Sequence, residues 1–332
     1  MAKNRPLMTA ADVDGFWAII PTPAKEGADR WDATGTVDVD ETARVVEELI
    51  AKGVNGILTM GTLGEVATLT WPEKQAFMTA AVETARGRVP VFVGTSTLNT
   101  RDTIEQTRWA SDIGADGTML GPPFWCLASI DTAVQFFKDV AEACPDMAIA
   151  IYANMQAFKF AFSIPFWARV SQIPQVITAK LTPVPQMHSL KLYSGGRIRF
   201  MPIDNDYYTA ARSDPEFFTA FWSSSASCGP DVCIALRDRV IEAKKTGDWS
   251  SVSRLSDEMD LVVSQLFPAG GPQEFATYNI ILEKHRMNVA GWMNAGPTRP
   301  PYNIAPPHIL ECAEKSGSAW AKLNRDVIAG AI

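Results

Sequence analysis

The sequence has few of the residues that usually build metal sites and disulfide frameworks. It contains three histidines, His188, His285 and His308, which are far apart, and five cysteines, none of them in a Cys-x-x-Cys pair. An odd number of unclustered cysteines argues against disulfides and favours reduced thiols in the cytoplasm. Asp204 and Asp206 lie close in sequence without a nearby histidine. We therefore expect no metal site.

Charge and hydropathy argue against two further classes of protein. No run of Lys and Arg exceeds two residues, and the formal net charge is -7, so the clustered basic face of a nucleic-acid-binding protein is missing. No apolar run approaches the roughly 20 residues needed to cross a membrane. Residues 1–14 also lack the apolar stretch of a signal peptide. The expectation is a cytoplasmic protein that binds neither nucleic acid nor membrane.

Short apolar runs alternate with longer amphipathic stretches as far as about residue 246. Strands are predicted at 15–20, 56–60, 89–94, 117–120, 148–153, 176–180, 198–202 and 218–223. Helices are predicted at 39–52, 70–86, 100–113, 130–143, 165–171, 187–193, 207–212 and 230–246. The strands are continuously apolar, which is typical of a parallel sheet buried on both faces. Eight strand–helix repeats predict an α/β fold, the (β/α)₈ TIM barrel.

An open, doubly wound α/β sheet is the alternative fold. It would more often carry a Gly-x-Gly-x-x-Gly loop after its first strand, whereas this chain has Pro21-Thr22-Pro23 there. After Gly247, helices are predicted at 248–266, 275–288 and 307–328, with no strands between them. We expect a barrel over residues 1–247 that carries the active site, and a C-terminal helical region over 248–332 packed on it.

Three predicted strand ends carry groups that suit an active site, which in this fold lies at the C-terminal ends of the strands. Lys180 ends the sixth strand, where partial burial would lower the pKa of its amine and make it a nucleophile. Tyr152 ends the fifth strand, where its phenol can move protons. Gly61-Thr62-Leu63-Gly64-Glu65 follows the second strand, and its backbone N–H groups and threonine hydroxyl can bind a carboxylate.

Each feature also has an ordinary structural interpretation when it is taken alone. A lysine at a strand end more often extends into solvent than reacts. A tyrosine there commonly packs inside the barrel, and glycine-rich turns occur in many folds. Together, on strands two, five and six, the three features are a much stronger signal of an active site with Lys180 as the nucleophile.

The same residues resemble those of a known family. Gly61-Thr62-x-Gly64-Glu65, Tyr152 followed by Asn154, and Lys180 are similar in order and spacing to the motifs of the pyruvate-dependent class I aldolases, the dihydrodipicolinate synthase and N-acetylneuraminate lyase superfamily. This resemblance covers residues 15–250. Along nearly the whole chain, further segments resemble the bacterial hydratase-aldolases of polycyclic aromatic degradation, among them Ala220-Phe221-Trp222-Ser223-Ser224 and Tyr278-Asn279-Ile280.

The resemblance implies roles for individual residues. Lys180 would form the Schiff base and Tyr152 would shuttle protons. Gly61, Thr62 and the backbone N–H of Leu63 would hold the pyruvyl carboxylate. The remaining substrate-binding positions would be Asn154, Trp222, Ser223 and Asn279. No cofactor is implied beyond the covalent lysine adduct, and the assembly would be a homotetramer.

The chain departs from dihydrodipicolinate synthases at positions that would contact substrate. Leu63 replaces a second threonine, Val66 replaces a serine, and Pro123-Phe124-Trp125 stands where a Pro-Tyr-Tyr stretch is usual. An arginine that usually follows the strand-five tyrosine is missing, because the chain reads Met155-Gln156-Ala157 there. These changes remove polar groups and add aromatic ones, which favours an aromatic substrate.

The expected reaction is therefore the hydration and cleavage of an arylidenepyruvate to an aromatic aldehyde and pyruvate. The likeness favours trans-2'-carboxybenzalpyruvate, which gives 2-carboxybenzaldehyde, over trans-o-hydroxybenzylidenepyruvate, which gives salicylaldehyde. Two other functions stay open. One is another pyruvate-dependent lyase or synthase, such as dihydrodipicolinate synthase, and the other is a barrel that binds a keto acid without catalysis.

Overall fold

A parallel eight-stranded barrel forms the body of the protein. The structure is a computed structural model that describes residues 6–181 and 184–332. The first five residues of the N-terminal stretch considered above lie outside this range. The strands are β1 Gly15–Ile20, β2 Gly56–Thr59, β3 Val91–Gly94, β4 Gly117–Leu120, β5 Ala148–Tyr152, β6 Val176–Lys180, β7 Arg199–Met201 and β8 Ala220–Ser223. The sheet closes where the backbone N–H of Trp222 donates to the Pro202 carbonyl at 3.0 Å. The predicted (β/α)₈ barrel is confirmed.

Helices connect the strands and cover the outside of the barrel. They are α1 Val39–Ala51, α2 Trp71–Ala85, α3 Thr100–Asp112, α4 Ile130–Ala143, α5 Met155–Phe158, α6 Ile164–Val170, α7 Val184–Ser194, α8 Asp204–Ser213 and α9 Asp231–Thr246. The sequence missed α5, a single turn, and a 3₁₀ turn at Ser225–Cys228. Both lie at strand C-terminal ends, so they shape the mouth of the barrel.

Local chemistry explains where several elements begin. A capping box between Thr70 and Glu73 starts α2, with Pro72 in the first turn. The Asp38 side chain accepts from the Glu41 N–H and caps α1. Every residue of β1 to β5 and of β8 is buried, which agrees with their continuous apolar sequences.

Three more helices, α10 Ser250–Ser264, α11 Gly271–Ala290 and α12 Pro307–Ile328, form the C-terminal region. Many of their apolar residues, including Leu255, Met287 and Trp320, belong to the same buried cluster as the barrel core, whereas Leu282, Ile309 and Ala313 form a second, smaller cluster with Leu266. The Trp320 indole N–H also donates to the Gly229 carbonyl at 2.9 Å. The boundary at residue 247 stays a prediction, since the core is continuous across it.

Candidate active site

The loop after β2 brings Thr62 to the mouth of the barrel. Gly64 allows the tight turn, because a Cβ there would lie 2.6 Å from the Met60 Cα. Gly61 lets the Tyr152 ring come close, because a Cβ at Gly61 would lie 3.3 Å from its Cε1. As a result, the Thr62 hydroxyl is 2.9 Å from the Tyr152 hydroxyl.

Glu65, at the end of this loop, anchors it to the C-terminal region. Its buried carboxylate accepts from the Lys284 amine at 2.7 Å and from the Arg299 backbone N–H at 2.7 Å. It also forms an ion pair with the Arg299 guanidinium. Burial lowers the pKa of Lys284 to about 8, although Glu65 opposes the shift. A buried carboxylate with two cationic partners holds the loop in one position.

Lys180 and Tyr152 leave adjacent strand ends, because β5 and β6 pair with these two residues opposite each other. The Lys180 Nζ lies 3.4 Å from the centroid of the Trp222 ring and 4.8 Å from that of the Tyr152 ring. Burial lowers the pKa of Lys180, although the charges of Tyr152 and Glu283 oppose the shift. The lower pKa increases the share of neutral amine, which is the nucleophilic form.

Two hydrogen bonds hold the Tyr152 hydroxyl. It contacts the Thr62 hydroxyl and also accepts from the Asn154 Nδ2 at 3.2 Å. The Asn154 Oδ1 in turn accepts from the backbone N–H groups of Gln156 and Ala157, the first turn of α5. A phenol held this way, next to an amine, is placed to exchange protons with whatever the amine binds.

These residues surround a cavity of about 160 Å³ at the barrel mouth, which we call the lysine cavity. Of the residues predicted from the sequence, its lining includes Gly61, Thr62, Leu63, Tyr152, Asn154, Lys180, Trp222 and Asn279. Ser223 is the exception, because it is fully buried and its hydroxyl donates to the Asp204 carboxylate. Ser224 and Ser225 line the cavity instead.

Three charged residues that sequence reasoning did not place in the site also line the lysine cavity: Asp204, Glu283 and Arg286. Glu283 and Arg286 form an ion pair at 2.7 Å. They follow Asn279 by four and seven residues on α11, so all three lie on one face of the helix. This helical spacing was the signal in the sequence that could have placed Glu283 and Arg286 in the site with Asn279. Burial raises the pKa of Asp204 to about 6, although the Ser223 hydrogen bond opposes the shift.

A second cavity of about 360 Å³, which we call the aromatic cavity, adjoins the first. The two share Thr62, Tyr152, Asn154, Phe275 and Asn279. The other residues that line it are Val66, Ala67, Ser96, Phe124, Gln156, Ala157, Phe158, Ala276, Thr277, Ile280 and Tyr302. No Lys, Arg, Asp or Glu is among these described lining residues.

The histidines lie away from both cavities. His285 and His308 contact the surface glutamates Glu314 and Glu274. In the described part of the chain, no group of three or more His, Cys, Asp and Glu side chains is arranged to hold a metal ion. Across the same residues, no helix is both long and apolar enough to span a membrane.

A profile of the dihydrodipicolinate synthetase family matches residues 29–199. The chain belongs to this family. It is 57% identical to trans-O-hydroxybenzylidenepyruvate hydratase-aldolase of Pseudomonas aeruginosa, over 96% of the chain and 95% of that protein. It is 35% identical to trans-2'-carboxybenzalpyruvate hydratase-aldolase of a Nocardioides strain, over 98% of both. A solved structure described as PhdJ bound to substrate intermediate is 38% identical, with a TM-score of 0.93 over 97% of this chain and 99% of that one.

Membership confirms the family assignment made from the sequence. The protein is a lyase of the class I aldolase type, which forms a covalent lysine Schiff base with its substrate and needs no external cofactor. The two identities also reverse the order expected from the sequence. The relative named for the hydroxylated compound is more similar, at 57%, than the relative named for the carboxylated one, at 35%.

Proposed function

We propose that Lys180 is the Schiff-base lysine of a hydratase-aldolase that cleaves trans-o-hydroxybenzylidenepyruvate to salicylaldehyde and pyruvate. The observation that carries this proposal is the partly buried Lys180 amine, beside the Tyr152 phenol and at the mouth of the barrel, where an uncharged aromatic cavity adjoins. Relatives at 57% and 58% identity that carry this enzyme's name, from Pseudomonas aeruginosa and Sphingobium xenophagum among others, support the choice of ring. The proposal replaces the 2-carboxy ring favoured by the sequence.

The reaction begins when the neutral Lys180 amine attacks the ketone of the substrate. Thr62 and the Leu63 backbone N–H, next to Gly61, hold the carboxylate of the substrate beside this ketone. Loss of water from the carbinolamine gives an iminium that is conjugated with the C=C bond. The iminium draws electrons from this bond, so that water can add to the benzylic carbon.

The second half of the reaction breaks a carbon–carbon bond. Tyr152 takes the proton of the new benzylic hydroxyl, the aldehyde leaves, and the electron pair of the broken bond forms an enamine with the lysine nitrogen. Protonation at carbon and hydrolysis then release pyruvate and restore Lys180. Asn154, Trp222 and Asn279 line the space in which these steps take place, whereas Ser223 acts through Asp204.

The aromatic cavity supports a ring with a neutral substituent. Val66, Phe124 and Ala157, which stand at positions where this chain departs from dihydrodipicolinate synthases, all line it. A buried carboxylate needs a cationic partner, and burial without one is costly. Among the described lining residues, neutral groups such as Gln156 and Thr277 can hydrogen-bond to a phenol.

Borohydride reduction in the presence of pyruvate tests the role of Lys180. The wild-type protein should gain the mass of one reduced pyruvate adduct, and peptide mapping should place it on Lys180. Lys180→Arg should gain none, because a guanidinium stays protonated, and it should not cleave arylidenepyruvates. Lys322→Arg, at an exposed position on α12, is the matched control. An unmodified Lys180 in the wild-type protein would leave only a barrel that binds keto acids.

Steady-state absorbance assays test the ring. We expect kcat/KM for the 2-hydroxy substrate to exceed that for the 2-carboxy substrate by at least about 10-fold, because the carboxylate lacks a cation in the aromatic cavity. The reverse order would contradict the choice of ring and leave the role of Lys180 intact. Turnover of N-acetylneuraminate or aspartate semialdehyde, with none of arylidenepyruvates, would contradict the reaction itself.

We also propose that the protein works as a homotetramer in the cytoplasm. The five cysteines, all within the described chain, are free thiols, which suits a reducing compartment. The homotetramer follows the expectation from the family resemblance. Sedimentation velocity at micromolar concentration checks it, and a single species with the mass of one chain would contradict it.

A further inference from the structure

We propose that Glu283 is the base that activates water for the hydration half of the reaction. This inference rests on the proposed arylidenepyruvate chemistry. Glu283 lies on α11, is 4% exposed, and lines the lysine cavity together with Lys180 and Trp222. The carboxylate and the Lys180 amine therefore belong to one cavity of about 160 Å³, and the charge of Glu283 acts on that amine. The benzylic carbon that receives water is only three bonds from the iminium nitrogen.

Other ionisable groups of the lysine cavity suit this role less well. The Tyr152 hydroxyl is held by Thr62 and Asn154, and it already serves the proposed carbon–carbon cleavage. Both oxygens of the Asp204 carboxylate already accept hydrogen bonds, one from the Ser223 hydroxyl and the other from the Asn205 backbone N–H.

The contacts of Glu283, in contrast, are themselves residues of the cavity wall. It accepts from the Ser224 hydroxyl at 3.3 Å and forms an ion pair with Arg286 at 2.7 Å. Ser224 and Arg286 both line the lysine cavity. These contacts hold the carboxylate in the wall of the same cavity that Thr62, the proposed binder of the substrate carboxylate, also lines.

Two donors on residues that line the same cavity suit a water oxygen. Within the described residues, the Trp222 Nε1 and the Arg286 Nε are buried without a hydrogen-bond partner. Buried donors in proteins are nearly always paired, and a bound water normally has two to four polar partners. A water that accepts from these donors and donates to Glu283 would have its oxygen free to attack.

The proposed hydration step couples a proton transfer to the addition of water. Glu283 takes one proton from water, and the water oxygen forms a bond to the benzylic carbon. The electron pair of the C=C bond becomes the C=C bond of an enamine, and the iminium pair moves onto the lysine nitrogen. The proton on Glu283 is then available for the adjacent enamine carbon. This gives the hydroxylated iminium that Tyr152 cleaves, and no oxidant or reductant is consumed.

Two substrates separate hydration from cleavage in Glu283→Gln. One is benzylidenepyruvate, which must be hydrated, and the other is 4-hydroxy-2-oxo-4-phenylbutanoate, which already carries the hydroxyl. We expect the rate with the first to fall by about 10²-fold or more, the usual contribution of a general base. The rate with the second should change by less than about 3-fold, and trapping of pyruvate by borohydride should be unchanged. Glu258→Gln, exposed on α10, is the control.

An equal loss with both substrates would show a structural role and overturn the proposal. A loss confined to benzylidenepyruvate in Asp204→Asn, but not in Glu283→Gln, would assign the base to Asp204. If Glu283→Gln does not fold, Glu283→Asp is the second variant. It keeps the carboxylate but shortens the side chain by one methylene group, and it should selectively slow the reaction of benzylidenepyruvate. A wild-type protein that cleaves the hydroxylated compound without hydrating benzylidenepyruvate or the 2-hydroxy substrate would reject the hydratase function and this inference with it.

Discussion

Burial shifts the pKa values of two residues in the lysine cavity in opposite directions. It lowers the pKa of Lys180 and raises that of Asp204 to about 6. In each case the neutral form is favoured, because the charged form loses water that the protein does not fully replace. For Lys180 this favours the neutral form of the amine, which the proposed Schiff-base role requires, whereas for Asp204 it creates a cost of ionisation that should be measurable.

Asp204→Asn should become more stable relative to the wild-type protein as the pH rises. A carboxyl whose pKa is higher in the folded state contributes stability below its unfolded value, and that contribution is lost as the pH rises through about 6. The relative change should be on the order of 2 kcal/mol between pH 4 and pH 7. Thermal melting at both pH values measures it, with the exposed Asp131→Asn as control. A Tm difference independent of pH would contradict the prediction.

At the scale of secondary structure, α11 connects two parts of the site. One face carries Asn279 and Glu283 to the lysine cavity. The next residue, Lys284, reaches Glu65 at the end of the loop that holds Thr62. A helix from outside the eight strand–helix repeats therefore carries the proposed base and also supports the loop that is proposed to bind the substrate carboxylate.

Lys284→Met should destabilise the protein by about 3 kcal/mol, because it removes one partner of a buried carboxylate. It should also weaken pyruvate binding, since the loop that carries Thr62 loses a contact. Chemical denaturation and the pyruvate dependence of borohydride trapping measure the two effects.

The matched control for this change is Lys322→Met. Its ion pair with Asp326 is on the surface, with the Lys322 side chain 72% exposed, so we expect a change of less than about 1 kcal/mol. Equal effects of the two substitutions would mean that the Glu65 contact does not hold the loop.

Most helices and strands could be predicted from periodicity, but their first and last residues were predicted less accurately. β4 and β6 begin and end where expected, whereas β3 begins at Val91 and not at residue 89. α5 was missed because a four-residue turn has too few positions to show a helical pattern. Its start depends on the Asn154 cap, a signal that is common in loops as well.

At the scale of the whole molecule, a single buried cluster joins the barrel to the C-terminal helices. Met259, Met287 and Trp320 belong to it together with barrel residues such as Phe221. Removal of these helices would expose apolar surface to water, which costs about 25 cal/mol of free energy for each Å² exposed. It would also remove Lys284 from Glu65 and Asn279 from the lysine cavity.

A protein that ends at residue 247 should therefore not fold stably by itself. We expect it to melt without a cooperative transition and to be digested by protease faster than the full chain. Circular dichroism during heating and limited proteolysis check this, with the full chain as reference. A cooperative melt at the temperature of the full chain would show that the barrel over residues 1–247 is an independent domain.

The barrel, Lys180, Tyr152 and the Thr62 loop were predictable because their signals are local. Each lies at the end of a short apolar run, and in a parallel barrel all such ends meet at one mouth. The charged wall of Asp204, Glu283 and Arg286 and the uncharged aromatic cavity were decided by tertiary packing. Both bring residues of α11 against residues that are distant in sequence, since Asp204 precedes Glu283 by 79 positions and Thr62 precedes Asn279 by 217. No local pattern records which distant side chains will meet.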